Sequence, residues 1–342
     1  MPEKQDLKSM NLEELRSFFQ TLNAPSYRAG QVFAWLHRGV SSFDEMTDLS
    51  LSLRESLKKT TYISSVKIVR KLTSALDGTV KYLFSLEDGE CIETVLMKYS
   101  YGYSLCISTQ AGCRMGCGFC ASTLNGLRRL LKPSEMLDQI LMASVDSHCR
   151  ISHVVLMGIG EPLDNFENVL KFLHLLSCKG GLNMSLRHVS LSTCGLVSEI
   201  YRLMDYRLQL TLSVSLHAPN DVIRSTIMPV NRKWGIDALL TACRDYIKAT
   251  GRRISFEYAM IDGVNDSPAC ARELGTRLHG MLCHVNLIPV NPVKERKYRK
   301  SRLDKMERFR SIVAKFGLPV TVRRTLGADI NASCGQLRQA AQ

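Results

Sequence analysis

Thr109-Gln-Ala-Gly-Cys113-Arg-Met-Gly-Cys117-Gly-Phe-Cys120-Ala-Ser-Thr is the stretch from which the fold can be read. Three cysteines at steps of four and three residues, in a glycine-bearing loop, can wrap one small inorganic centre. With 12 cysteines in 342 residues, a triplet at this spacing arises by chance on the order of 0.015 times per chain. Thiolates are the usual ligands of iron–sulfur clusters, which normally take four. Three would leave one iron of a [4Fe–4S] cube open to a substrate or cofactor. The alternative, half of a structural zinc site, needs a partner pair of Cys or His at short spacing, and the sequence shows no such pair.

The loop follows a candidate strand, Tyr103–Ser108. Beyond it, further candidate strands at Ser152–Met157, His188–Ser192, Leu210–Val214, Ile254–Met260, Cys283–Ile288 and, last and short, Val320–Arg323 alternate with helical patterns. These helices are expected over Ser134–His148, Glu167–Cys178, Leu196–Tyr206, Ile236–Thr250, Ala269–Leu278 and Ser301–Phe316, with Gly251 and Gly317 where helix-ending glycines belong. Such alternation is the mark of a parallel α/β sheet, here six or so βα units in an open sheet or a partly closed barrel.

Two other regions precede it. Residues 1–62 read as a small helical domain: Met10–Gln20 with Asn11 as cap, Tyr27–Val40 and Leu49–Leu57 carry apolar residues at helical spacing. Residues 63–99 turn to β-rich runs at Val66–Arg70, Val80–Leu86 and Ile92–Lys98, separated by the hairpin signals Asp77-Gly78 and Asp88-Gly89. Residues 100–342 then hold the main domain.

The chemically loaded residues recur just after strands. The cysteine loop follows the first, Gly158-Ile-Gly160-Glu161-Pro162 the second, Ser192-Thr-Cys194-Gly195 the third, Ser215-Leu216-His217 the fourth and Asn291-Pro292 the sixth, while Cys334-Gly335-Gln336 lies beyond the last. In βα barrels and doubly wound sheets the carboxyl ends of the strands form the active face. One face therefore collects this chemistry, which is an enzyme's layout.

A net charge of +13 points to a polyanionic partner, nucleic acid before others. Lys294-Glu-Arg296-Lys297-Tyr298-Arg299-Lys300-Ser-Arg302 sets six cations and one aromatic in a loop after the sixth strand, and Arg128, Arg129, Lys132, Arg323 and Arg324 flank the same face. Many cysteines without a secretion signal suit a reducing cytoplasm, and no apolar run has membrane-spanning length.

At this point the cysteine loop resembles the radical S-adenosylmethionine (SAM) superfamily. Glu93-Thr-Val-Leu-Met, Leu124-Asn-Gly-Leu-Arg-Arg, Met157-Gly-Ile-Gly-Glu161-Pro-Leu-Asp-Asn, Ser213-Val-Ser-Leu-His217-Ala-Pro, Asp262-Gly-Val-Asn-Asp, Val285-Asn-Leu-Ile-Pro-Val-Asn291-Pro and Ala332-Ser-Cys334-Gly-Gln-Leu narrow the resemblance to the RlmN family, over residues 10 to 338. That family methylates adenine carbon 2 in 23S ribosomal RNA and transfer RNA. The resemblance implies a partial (βα)6 TIM-like radical SAM barrel. It also implies a [4Fe–4S] cluster on Cys113, Cys117 and Cys120, two SAM molecules per turnover, and an electron donor such as flavodoxin or ferredoxin.

By the same resemblance, Gly160, Glu161, Ser192, Ser215, Leu216, His217 and Asn291 stand at SAM-contacting positions. Cys334 would take a methyl group from a first SAM by displacement. A radical made from a second SAM would take a hydrogen from that methyl, and the carbon would then join adenine. Cys106 would release the product by a transient disulfide with Cys334, and Glu93 would accept the proton of carbon 2. Ser333 departs from the family's more frequent alanine. Rival expectations are the sister Cfr family, which methylates carbon 8, a radical SAM enzyme of small molecules, and a non-catalytic RNA-binding protein with a structural metal.

Overall fold

The structure, a computed structural model, describes residues 4–338. Ten strands form one sheet whose spatial order equals the chain order: β1 (Lys67–Thr73), β2 (Val80–Ser85), β3 (Cys91–Tyr99), β4 (Gly102–Cys106), β5 (Ile151–Leu156), β6 (Val189–Thr193), β7 (Thr211–Ser215), β8 (Ile254–Met260), β9 (Cys283–Pro289) and β10 (Val320–Val322). Strands β1 to β4 pair antiparallel, and β4 to β10 pair parallel. The barrel-like part therefore has seven parallel strands. It stays open, because β4 spends one edge on β3 and β10 pairs only with β9.

The antiparallel run is continuous with the barrel sheet. Its first two hairpins turn at Gly78 (φ 72) and Gly89 (φ 86), left-handed positions that the Asp-Gly pairs supply at little steric cost.

Each parallel crossover carries helix: α4 (Pro133–Ser147), α5 (Phe166–Ser177), α6 (Val197–Asp205), α7 (Asp221–Ile227) with α8 (Ile236–Thr250), α9 (Pro268–Leu278) and α10 (Leu303–Ala314). Alternation in the strands sorts the two faces. Leu105, Val154, Leu191, Leu212, Val214, Phe256, Tyr258, Val285 and Leu287 are buried against the helices. Of the opposite, inward-facing positions, Ser192, Ser215, Glu257 and Asn286 are polar, beside the apolar Ala259 and Ile288. A closed TIM barrel fills its interior with branched apolar side chains, so this interior is built to hold something else.

The N-terminal helices, Leu12–Thr21, Tyr27–Leu36 and Leu51–Thr60, have their own core of Leu15, Phe19, Val32, Phe33, Leu36 and Leu57, which Leu175 of α5 joins. Asn11 caps the first helix reciprocally with Glu14. Lys8, buried, ties this segment to α4 through Asp138 at 2.7 Å. Two elements carry no clear pattern in the sequence: α7, and the short ribbon Gln110–Gly112 with Leu127–Leu130 that brackets the cysteine loop. Among the described residues no helix is long and apolar enough to cross a membrane.

Candidate active site

The loops after the parallel strands enclose a cavity of about 150 Å3. Cys113, Cys117, Cys120, Gly160, Glu161, Ser192, Ser215, His217, Asn291 and Cys334 all line it. Leu216 does not: its side chain is packed in the main core, and its carbonyl accepts a bond from Arg224 Nε at 3.0 Å.

Beside this cavity lies a narrower one of about 30 Å3, lined by Cys106, Val95, Met97, Arg323 and Cys334. Cys334, Asn291, Met157 and Arg323 belong to both walls. The structure thus brings together Cys106 and Cys334, which are 228 residues apart in the chain. Burial, then the neighbouring Cys334 thiol, push the Cys106 thiol up to about 12, while Arg323 acts in the opposite sense.

Glu161 is held in place by main chain. Its Oε2 accepts from Cys194 N at 2.7 Å and its Oε1 from Leu163 N at 3.1 Å. Burial raises its pKa. Gly160 before it has φ 113, and a Cβ there would stand 2.7 Å from Gln110 Cβ. The Gln110 side chain accepts from Glu161 N at 2.9 Å, so this close approach sets the carboxylate's height in the cavity. His217 is also left-handed, φ 57. Its Nδ1 accepts from Ala259 N at 2.9 Å, which leaves Nε2 as the protonated, donating nitrogen. Burial, helped by Arg224, drives its pKa down to about 3, so the ring is neutral at physiological pH.

The segment carrying Cys334 is pinned from three sides. Asn291 Nδ2 donates to Cys334 O at 3.0 Å. Ser122 Oγ donates to Leu337 O at 2.7 Å, and Ala121 N to Gly335 O at 2.8 Å, joining it to the cysteine loop. Arg338 N donates to Glu93 Oε2 at 2.9 Å. The extra hydroxyl of Ser333 donates to Leu326 O at 2.7 Å.

Glu93 is buried on β3, on the same strand face as Val95 and Met97, with Lys81 Nζ 3.0 Å from Oε1. It lines neither cavity. A strand glutamate is ordinarily exposed, but here the C-terminal segment lies across it.

Several cations expected at an RNA surface are occupied otherwise. Arg296 turns inward and its Nη2 donates to Cys120 O at 3.2 Å and Thr123 Oγ1 at 2.8 Å. Arg129 is paired with Glu135 at 2.7 Å and with Asp88. Arg323 stands inside, and its pKa is raised, first by the Cys334 thiol beside it. Arg128, Lys294, Lys297, Arg299, Lys300, Arg302 and Arg324 remain exposed.

Three further residues at the site were given no role by the motifs. Arg224, fully buried, donates to Leu216 O, Asn231 Oδ1, Cys194 O and Ser215 O and ties the ends of β6 and β7 together. Cys194 is a fifth cysteine on the cavity wall, and burial, then the neighbouring Glu161 carboxylate, raise its pKa well above that of a free thiol. Glu257 lines the floor, accepting from Ser255 Oγ at 2.9 Å and Asn286 Nδ2 at 2.8 Å. Its signal was present in the sequence: the one charged residue at an inward position of the strand Ile254–Met260.

The donor set can be tested against a metal group. Among the described residues no three His, Cys, Asp or Glu side chains converge tightly enough to hold one metal ion. In a cubane cluster each thiolate binds a different iron, so three sulfurs spread around one wall suit it better than a shared ion. Burial pushes the Cys113 thiol to about 12 and raises Cys117 and Cys120, and only a cation's charge would make such a buried trio thiolate. The residues fit a [4Fe–4S] cluster with one iron left open.

Comparison with known proteins agrees along the whole chain. The family described as "Ribosomal RNA large subunit methyltransferase N-terminal domain" matches residues 5–63, and "Radical SAM superfamily" matches residues 107–271. A "Probable dual-specificity RNA methyltransferase RlmN" of Alkaliphilus oremlandii is 53% identical, covering 98% of both chains. One of the same description from Desulforamulus reducens is 51% identical over 98% of this chain and 96% of its own. A crystal structure described as a radical SAM methyltransferase from Sphaerobacter thermophilus superposes with a TM-score of 0.94 at 42% identity, over 98% of this chain and all of the other.

Proposed function

The chain belongs to the RlmN family of radical SAM RNA methyltransferases, and from that premise we propose that it methylates carbon 2 of an adenosine in 23S ribosomal RNA, and in transfer RNA, through a methyl group carried on Cys334. The observation that carries this reading is that Cys334 lines both the cavity of the three loop cysteines and the narrow cavity of Cys106. A carbon carrier has to meet the cofactor on one side and its releasing thiol on the other.

The radical SAM family uses a [4Fe–4S] cluster and SAM, and when bound on Cys113, Cys117 and Cys120 the pair supplies a 5′-deoxyadenosyl radical. Gly160, Glu161, Ser192, Ser215, His217 and Asn291 would hold SAM, with Leu216 contributing main chain. Glu161 offers an acceptor to an ammonium group, and neutral His217 offers a donor at Nε2. Carbon 2 of adenine is not nucleophilic, so a plain methyl transfer fails there. Cys334 avoids the problem by working in two stages.

The thiolate is the nucleophilic form of a cysteine, and as such Cys334, which shares both cavity walls with Arg323, would displace the methyl carbon from the sulfonium of one SAM. The S–CH3 bond forms on Cys334 and S-adenosylhomocysteine leaves. Once that methyl has given a hydrogen atom to the 5′-deoxyadenosyl radical, the carbon would bond to carbon 2, one electron would pass from the ring adduct to the cluster, and Glu93 would take the proton there. The Cys106 thiolate would then attack the Cys334 sulfur: the S–S bond forms, the sulfur–carbon bond breaks, and the carbon keeps that electron pair and gains a proton, which frees the methylated base. For Glu93 to reach the base, its bond from Arg338 N must open, which RNA entry along the C-terminal segment would do. The target base has to be unpaired and splayed out, since carbon 2 faces inward in a stack.

On this reading residues 1–62 are an accessory RNA-contacting domain, 63–99 a β extension and 100–342 the catalytic barrel. The cation–aromatic pairs Arg28–Tyr27 at 4.9 Å and Arg38–Trp35 at 5.1 Å suit base stacking and phosphate contact. A cytoplasmic protein with flavodoxin or ferredoxin as reductant is implied. Replacement Cys106→Ala tests the route: the protein should purify with RNA covalently joined through Cys334, seen by mass spectrometry after nuclease digestion. Protein free of RNA would refute it, and 8-methyladenosine without 2-methyladenosine in digested ribosomal RNA would refute the choice of carbon.

A further inference from the structure

A radical SAM centre needs one electron per turnover, and the structure restricts where a donor can stand. The inner side of the cysteine loop faces the cavity that SAM and the target base must fill. The outer side is one loop thick: Arg114 and Gly116 are exposed, while Cys113 beside them is buried. Outside this loop runs an open groove of about 690 Å3. Met115 lines both the groove and the cysteine cavity, so it is the shared wall.

The groove is made for a surface contact. At its loop end it presents Arg114, Pro229, Lys233 and Trp234. Pro229 closes against Gly116, where an added Cβ would lie 3.3 Å from Pro229 Cγ. Arg114 Nε donates to Asp164 Oδ2 at 3.0 Å, yet the acid's side chain is 9% exposed and the arginine's 63%. The charge shown outward is therefore positive. Lys233 is exposed and lies over the Trp234 ring at 4.3 Å. At the far end Arg202 is outnumbered by its two partners, Glu167 and Glu199, which leaves that end net acidic. The pattern is a cationic, partly aromatic end directly over the cluster loop, which attracts an acidic partner, and a net acidic end away from it, which repels one and so confines the contact to the loop end.

We propose that this groove is the docking site of the electron donor, a small acidic one-electron carrier protein, on the outer side of the Cys113–Cys120 loop. This rests on the radical SAM reading. In the encounter the carrier gives up one electron and the cluster gains it; no bond or proton changes place. Interfaces of this kind are small, below about 1,200 Å2, and wet. Their charges act mainly on the rate of encounter and fade with salt.

The test is Lys233→Glu in the cluster-loaded, full-length enzyme, with 5′-deoxyadenosine formation measured under two reductants. Driven by reduced flavodoxin at about 0.01 M ionic strength, the rate should fall about fivefold, and the deficit should vanish near about 1 M. Driven by dithionite, which needs no docking, the rate should equal that of the unaltered enzyme, as should RNA affinity. An equal fall with both reductants, or no fall with flavodoxin, overturns the proposal. Weakened RNA binding with an unchanged flavodoxin-driven rate overturns it in favour of a nucleic-acid surface. Failure of unaltered enzyme to cleave SAM with dithionite would instead sink the radical SAM reading itself.

Discussion

Arg224 offers the sharpest check on how the site is held together. Arg224→Met keeps much of the side-chain volume but removes four donated bonds: to Leu216 O at 3.0 Å, Asn231 Oδ1 at 2.9 Å, Cys194 O at 2.7 Å and Ser215 O at 3.1 Å. Three of the acceptors are main-chain carbonyls at the ends of β6 and β7, and they stay buried when the guanidinium goes. Each orphaned buried acceptor costs about 1–3 kcal/mol. Part is recovered, because burial disfavours the charged guanidinium and lowers its pKa. Taking the carbonyls near the low end and allowing for that relief gives a net loss of about 3 kcal/mol. Unfolding entropy of ~2.1 cal/mol/K per residue converts this, for 342 residues, to a melting temperature lower by about 4 °C. The assay is thermal unfolding by circular dichroism, with iron content measured alongside, since Cys194 O and the Glu161 acceptor loop lose their brace together. A shift under about 1 °C with full iron loading would refute the clamp.

Two other consequences follow from the same geometry. Gly160→Ala puts a Cβ 2.7 Å from Gln110 Cβ at φ 113, which adds about 1–2 kcal/mol of left-handed strain to the clash. SAM affinity, measured anaerobically by calorimetry, should drop about tenfold or more, and an unchanged affinity would mean that Glu161 is not set by this contact. In the N-terminal helices, burial and then Lys8 push His37 down to about 4 from 6.5. Between those values the unfolded chain binds a proton that the folded chain refuses, so stability is complete above 6.5 and falls as pH drops toward 4. From pH 7 to 5 the loss is about 2 kcal/mol. His37→Leu should flatten that part of the urea-midpoint profile, and an identical slope in both proteins would discard His37 as its source.

Much of this was legible in the sequence because two physical signals are local. Alternation in β4 to β10 reports which strand face meets the helices, and it located the parallel strands to within a few residues. Glycines and prolines after the strands reported the loops, and ten of the residues they marked do line one cavity. What stayed hidden depends on distant neighbours. Arg296, Arg129 and Arg323 look like surface cations in a basic protein, yet their partners are Cys120 O, Glu135 with Asp88, and the space beside Cys334. A long cationic side chain follows whichever partner the fold brings near, and that information is not in its own segment. Glu93 shows the same limit from the acid side: its burial is imposed by Arg338, 245 residues away. Arg224 left no trace beyond an apolar flank, since its acceptors are carbonyls, which any sequence would provide.

The pinning of the C-terminal segment bears on the proposed chemistry directly. Cys334 has to face a sulfonium, then an adenine ring, then Cys106, within one turnover. Anchors from Asn291, Ala121 and Ser122 fix the main chain at Cys334 itself and at Gly335 and Leu337 just beyond it, so whole-loop travel would break three bonds at each stage. Placing the residue in a wall common to two cavities removes that need: rotation about the Cα–Cβ bond alone can turn the sulfur from one space to the other. The bond from Arg338 N to Glu93 lies beyond these anchors, at the far end of the segment. Opening it would free the Glu93 carboxylate while leaving the carrier's main chain where it is. On the proposed chemistry Glu93 would be uncovered as the base only when the segment's outer end is lifted, which would couple proton removal to the presence of RNA.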